Sequence, residues 1–571
     1  MQNRLVNLLL IFIVFILIFV ALFLLRGVDD NSLFSWSWVF IKIDAATIYL
    51  FLIAGLASSL LLSRAAIPDT CQIPLLAAFS FAACLPFWNE PEIIVDASRY
   101  FTQAKHLEVY GIGYFLKEWG GAIQTWTDLP LVPFLYGLVF RSFGESRTAI
   151  QLFTTTLFSL TVVLTYLTGK TLWNRETGFA AGLLLLGIPY LLTQVPLMLV
   201  DVPTMFFLML AVFTYIDALK KGGILRIFSA VVSIVLAALS KYSAWPMLSV
   251  LGVALAVFAV DPDGSKDRRA LLRGAAILLV AAAFSAAVLL LNYDVFREQM
   301  RLLREYQMPG LGRWGESFVS TFLFQIHPII TLSVLASAVI AVRKRDALYA
   351  IVSWPVLLVL LFGIRRIRYT LPLFPIITLM AGYGLQVIKR EELKRFLLYG
   401  TVAASLVVGV FAYLPFAQGM SAANLKRAGE YLNTLDVPAI EVITLMPPEP
   451  VANPAVAVPL LDLFTDKRIR YRHRFEGSLA REEIERSSLR FTWEYRNPVY
   501  YNADPRSLAD TPVVVISDAS NGPLPGPVAQ RIEGRRLSKA FTADDTIFRY
   551  NVGVRIYQKT SSSCPAPEIS E

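Results

Sequence analysis

Apolar runs close to the 20 residues that carry a helix across a hydrocarbon core recur from Leu5 to about Phe416, and few folds are open to a chain with that pattern. Of the 571 residues 56% are hydrophobic and only 17% are charged. Soluble domains carry roughly 25% charged residues, so the pattern describes a polytopic α-helical membrane protein. Spans are expected near 5–25, 45–63, 73–88, 148–168, 177–194, 203–219, 226–240, 245–260, 274–292, 321–342, 347–363, 369–388 and 396–416, about 13 transmembrane helices in all. The first run exceeds the apolar core of a secretory signal and is followed by no small-residue cleavage site, so it is expected to stay as a helix. From about residue 419 to Glu571 the composition turns polar, which marks a second domain of roughly 150 residues, long enough to bury its own core.

The loops "KKGG", "SKDRRALLR", "RKRD" and "KREELKR" fall on one side of this count and are rich in lysine and arginine. That side is expected to be cytoplasmic, with the N-terminus inside and the C-terminal domain outside. The net charge of +9 is thereby a matter of topology, and no nucleic acid is expected as a partner. Two long loops, 88–148 and 293–320, fall on the outer side. The first contains "ASRYFTQAKHLEVYG", with helical spacing, and "DLPLVPFLYGLVFRSFGES", a short proline-broken apolar stretch suited to the membrane interface. In the second, Arg297, Arg301 and Arg304 share one helix face, which would lie along lipid phosphates. Further on, "VITLMP", "KRIRYRH", "TPVVVISD" and "VGVRIYQK" read as short strands and "AREEIERS" as a helix, together a small α/β soluble domain.

Four places on the outer side could carry chemistry. Asp96 in "VDASRY" either caps a helix beginning at Ala97 or, beside a partly desolvated cleft, takes a proton from an acceptor hydroxyl attacking a sugar. Arg365, Arg366 and Arg368 of "RRIRYT" stand where the positive-inside rule disfavours them, and a lipid phosphate is a reason for the cluster; snorkelling to headgroups is the plainer one. Lys241 in "SKYSAW" could neutralise charge on a departing phosphate, or snorkel. Asp201 in "LVDVPTMFF" is explained nearly as well by N-capping. The turn "DPDG" at 261–264 is expected to be solvated, and His106, His327 and His473 are isolated, with no zinc spacing among them. Cys71, Cys84 and Cys564 suggest no disulfide framework.

The order of "VDASRY", "DLPLVPFLYGLVFRSFGES", "LVDVPTMFF", "SKYSAW" and "RRIRYTLPLFPI" resembles the GT-C glycosyltransferases of the protein O-mannosyltransferase and aminoarabinose transferase type, glycosyltransferase family 39, over roughly residues 90 to 385. The resemblance implies a GT-C-like membrane domain over 1–418, an extracytoplasmic α/β domain over 419–571, and inverting transfer of one sugar from a polyprenyl-phosphate donor to a hydroxyl of a protein, lipid or glycan acceptor. Asp96 matches the acid proposed as catalytic, with Arg99 and Tyr100 following it. Lys241, Arg368 and Tyr369 match positions facing the donor phosphate, joined by Arg365 and Arg366, while Arg301 would support binding. Family members often carry Asp-Glu where this chain has Asp96 and Ala97, so a second carboxylate would come from Glu92, Asp128 or Asp201. No metal or other cofactor is expected, because cations can stabilise a phosphate leaving group. The competing classes are a transporter or flippase of a lipid-linked sugar, which would favour internal repeats and ionisable groups near span centres, and a non-catalytic glycan-assembly protein.

Overall fold

The computed structural model describes the chain except residues 1, 42, 261–266, 309–314, 447–451, 472–488, 503–510, 519–522, 544–550 and 560–571. The turn at 261–264, His473, Cys564 and the expected helix at 480–487 lie outside the described residues. The rest divides into two compact units, one of residues Met1–Glu90, Thr125–Leu135 and Thr148–Phe416, the other of Pro91–Gln124, Tyr136–Arg147 and Ala417–Glu571.

The first unit is helical. Seven of its helices combine the length and apolarity needed to cross a membrane, among the described residues: Val6–Leu24, Ala45–Leu62, Asp69–Asn89, Arg147–Leu172, Asp201–Lys221, Arg268–Leu291 and Glu391–Gly419. The other expected spans are helical too, but short or broken. Arg175–Leu184 ends in a tighter turn, and Pro189 opens a separate helix, Pro189–Gln194. Pro328 stands at the first position of Pro328–Lys344, where its missing N–H costs nothing. Small residues set the closest approaches. A Cβ on Gly178 would lie 2.3 Å from the Tyr166 carbonyl oxygen and one on Gly169 would lie 2.7 Å from the Gly178 Cα, so these two helices touch backbone to backbone.

Helix Asp201–Lys221 gives this unit its ruler, since 21 residues rise about 30 Å, the thickness of a hydrocarbon core. At its C-terminal end the basic loops gather. Arg226 and Lys221 pair with Asp217, Lys220 donates to the Thr171 carbonyl, and Arg273 donates to the Leu219 carbonyl. Elsewhere in the unit a buried acid ties two loops. Asp29 accepts from the Trp36 amide at 2.7 Å, from Gln325 Nε2 at 2.9 Å, and from Ser320 Oγ and the Asn31 amide. Burial pushes its carboxyl up to about 6.

The second unit carries a five-stranded sheet of β1 (Ala439–Thr444), β2 (Arg468–Tyr471), β3 (Val513–Ser517), β4 (Arg535–Phe541) and β5 (Gly553–Lys559), in the order β2-β1-β3-β5-β4. The first three run parallel, and β5 and β4 are added antiparallel. Four of the strands fall on the segments read as strands from the sequence. The fifth, β4, has the burial of an edge, every position being exposed or half-buried. Helices Ile94–Tyr110 and Ile112–Glu118, and the Tyr136–Phe143 part of helix Leu131–Phe143, belong to this unit. Ile94–Tyr110 meets the helix Leu131–Phe143 so closely that a Cβ on Gly137 would lie 2.7 Å from Leu107 Cβ. It also packs against Val458–Phe464 and the turn Pro454–Ala457.

The backbone contact at Gly178 supplies a test. Gly178→Val should lower the thermal unfolding midpoint of the detergent-solubilised protein, by an amount equivalent to about 1–3 kcal/mol or more. Gly27→Val, at a position with nothing within 4 Å of its Cβ, is the control and should not.

Candidate functional site

Asp201 is the first residue of its helix, and Val200 is the N-cap, so the capping explanation for Asp201 does not hold. Its side chain is fully buried and both oxygens are taken by cations: Lys241 Nζ lies 2.6 Å from Oδ1, and Arg368 Nε lies 3.1 Å from Oδ2. A buried carboxylate is costly unless paired and hydrogen-bonded, and two cations accomplish both. Lys241 reaches the site because it ends helix Ile224–Ser240 with extended backbone. Arg368 reaches it from the short helix Ile367–Thr370, placed where the chain turns before Pro372.

A second pair continues the cluster. Arg366 Nε stands 3.6 Å from Glu316 Oε1, and Glu316 also accepts from the Ile367 amide at 3.2 Å and from the Ser32 hydroxyl. Tyr369 is flanked by both groups, with Lys241 Nζ 5.8 Å and the Arg366 guanidinium 5.5 Å from its ring centroid. Arg366 and Arg368 are buried, which excludes snorkelling for these two. Arg365 is exposed, and its carbonyl accepts from Thr321 Oγ1 at 2.9 Å.

Asp128 lies in the same unit, buried, with its carbonyl held by Gln299 Nε2 at 2.8 Å and its carboxylate within electrostatic range of Tyr242. Gln299 in turn accepts from the Tyr242 hydroxyl. Arg301 departs from expectation: it is bound by Glu298 and Glu305 on its own helix, at 2.5 and 2.7 Å, so the stripe with Arg297 and Arg304 is not a bare basic face at its centre.

In the second unit, helix Ile94–Tyr110 begins at Ile94 with Ile93 as N-cap, so Asp96 sits inside the first turn instead of capping it. Arg99 Nη2 reaches back to Asp96 Oδ1 at 3.5 Å and to the Tyr100 hydroxyl at 3.2 Å. Its guanidinium lies 5.0 Å from the Phe491 ring centroid. The three residues of the motif thus form one group, with Asp96 held in place and partly exposed. Glu92 is committed elsewhere in the unit, buried and 3.0 Å from Arg147 Nε.

A further charged cluster was not read from the sequence. Lys105 Nζ lies 2.8 Å from Glu145 Oε2 and 2.6 Å from Asp462 Oδ2, and the Tyr501 hydroxyl donates to the same Asp462 oxygen at 2.7 Å. Burial, and then the nearby Asp462 carboxylate, push the Glu145 carboxyl up to about 8. Its charged members are 357 positions apart at the widest, and no local pattern announces them. Glu316 is likewise silent in sequence. Cys71 and Cys84 are free thiols. Among the described residues no group of three or more His, Cys, Asp and Glu side chains is placed to hold a metal.

Residues 128–293 match the sequence family described as dolichyl-phosphate-mannose-protein mannosyltransferase. That segment contains Asp128, Asp201 and Lys241. Among curated protein sequences none matches the chain. In solved structures, ArnT from Cupriavidus metallidurans bound to undecaprenyl phosphate is similar over 88% of this chain and 100% of its own, at 12% identity and TM-score 0.53. The apo state of the same protein is similar over 85% and 98%, at 11% identity and TM-score 0.52. The fold is a GT-C fold. Together with the matching segment it is the architecture of a membrane glycosyltransferase, as the order of motifs implied.

Two predictions follow from these clusters. Asp201→Ala leaves Lys241 and Arg368 without their carboxylate in a buried setting and should destabilise the protein by about 3–5 kcal/mol, read as a fall in thermal midpoint. Adding Lys241→Met should recover part of that loss. For Glu145 the folded-state pKa is raised above its unfolded value of 4.5, so its stabilisation is full below about pH 4.5 and is lost as pH rises toward 8. Glu145→Gln should flatten the decline in thermal midpoint between those limits.

Proposed function

We propose that the chain is an integral-membrane glycosyltransferase that moves a sugar, with inversion, from a polyprenyl-phosphate donor to a hydroxyl on a protein, lipid or glycan acceptor at the extracytoplasmic face. The single observation that carries the reading is the Asp201 cluster. Three cations, Lys241, Arg366 and Arg368, are held beside two carboxylates, Asp201 and Glu316. A sugar phosphodiester brings one negative charge, and the phosphate gains more as the glycosidic bond breaks. Cations fixed in place by carboxylates therefore stabilise the transition state more than the ground state.

The cluster lies at one end of helix Asp201–Lys221 and the basic loops at the other, about 30 Å away. With the basic end cytoplasmic, the cluster faces outside, the N-terminus is inside and the C-terminal domain is extracytoplasmic. ArnT, whose fold this chain shares, binds undecaprenyl phosphate, and a lipid of that class is assigned here as the donor carrier. Asp96, oriented by Arg99 and Tyr100, is assigned as the base that takes the acceptor's proton. Arg365, Tyr369 and Asp128 are assigned supporting roles in binding.

The reading is tested with purified full-length protein in nanodiscs, a polyprenyl-phosphate sugar and mass spectrometry of the products. Asp96→Asn should lower the transfer rate by about 10²–10⁴-fold while undecaprenyl-phosphate binding persists. Lys241→Met should weaken that binding. Full activity of Asp96→Asn removes this residue from the mechanism, and a wild-type protein that binds no polyprenyl phosphate overturns the assignment.

A further inference from the structure

Tyr190 and Gln194 stand one turn apart on helix Pro189–Gln194, on the same face, and both are fully buried in the first unit. Neither the Tyr190 hydroxyl nor Gln194 Oε1 has a hydrogen-bond partner among the described residues. The Gln194 amide nitrogen is satisfied by Thr193 Oγ1 at 3.1 Å, so only the acceptor side of that group is open. Buried polar atoms in folded proteins are nearly always paired, and two orphans on one face of one short helix call for an explanation.

Their surroundings supply it. The Tyr190 ring packs edge-on against Phe34, with centroids 6.2 Å apart, and its hydroxyl is within electrostatic range of Arg368, Glu316, Arg366 and Asp201. Phe34 also stacks on Tyr413, at 5.3 Å, and that tyrosine shows what a purely structural role looks like: its hydroxyl accepts from Trp36 Nε1 at 3.0 Å and donates to Gln325 Oε1 at 3.0 Å. Two tyrosines share one aromatic neighbour, and only the one facing the charged cluster has an idle hydroxyl. Neither described carboxylate of that cluster accepts from Tyr190, and an anionic ligand at the cluster would supply the missing acceptor. A phenol donates well to an anionic oxygen.

Resting on the phosphate-binding role proposed above, we propose that Tyr190 donates a hydrogen bond to an oxygen of the lipid donor's phosphate and is a specificity-determining contact for it. The open Gln194 oxygen, one turn on, offers the complementary acceptor to a hydroxyl of the same headgroup. Tyr190 adds a neutral, directional contact where Lys241, Arg366 and Arg368 add charge.

The test measures binding of undecaprenyl phosphate to full-length protein in nanodiscs, with inorganic phosphate as the lipid-free probe, alongside thermal unfolding. Tyr190→Phe keeps the ring and removes only the idle hydroxyl. It should weaken undecaprenyl-phosphate binding about tenfold, as loss of a hydrogen bond to a charged group does, with the thermal midpoint unchanged or raised. Tyr413→Phe should do the reverse, lowering the midpoint and leaving affinity as it was. Unchanged affinity in Tyr190→Phe, with binding lost in Lys241→Met, overturns the role of Tyr190 and leaves the phosphate site standing. Unchanged affinity in both overturns the phosphate site as well. A lowered midpoint in Tyr190→Phe makes the hydroxyl structural and overturns the inference.

Discussion

One buried carboxylate, Asp201, draws two cations from distant parts of the chain into a single site. Lys241 is 40 positions away and Arg368 is 167, and each arrives by a different helix. Without Asp201 the low-dielectric interior would repel both; with it, their positions are fixed to hydrogen-bond precision. The rest of the cluster depends on this. Arg366 is carried in by the same short helix as Arg368, Glu316 meets it, and Tyr369 fills the space between two cations. A ligand anion entering here would find donors already oriented, with little reorganisation left to do.

Much of this architecture is legible in the chain because it rests on short-range signals. Apolar runs announce helices through length, and four of the five strands announce themselves through β-branched runs such as "VVVIS". β4 escapes because "RRLSKAF" reads as a charged surface segment, which is how an edge strand protects itself from pairing. The arginines of "RRIRYT" stand out as a dense basic cluster between apolar runs. What they pair with does not, since a contact across 167 residues leaves no trace in local spacing.

The same limit explains the two acids whose local roles differ from expectation. A capping role was a fair reading for Asp96 and for Asp201, as short polar residues commonly stand just before helices. In both cases the helix starts earlier than the polar residue suggests. Ile94 and Val95 are β-branched and weak helix formers, yet they open the helix that carries Asp96, where tertiary packing outweighs propensity. Asp201 begins its helix directly and trades a backbone cap for two side-chain cations.

The ion pair between Lys105 and Asp462 has a bearing on how the chain matures. The helix that carries Asp96 is synthesised early, yet one counter-charge for its buried lysine is encoded 357 residues later. At roughly 5–20 residues per second, translation leaves that lysine without Asp462 for something on the order of tens of seconds. Glu145, only 40 residues on, is synthesised long before that and is the nearer of the two counter-charges in sequence. Helix Ile94–Tyr110 gains Asp462 and its packing against Val458–Phe464 only near the end of synthesis, so a ribosome that stops early leaves that helix without its finished seat.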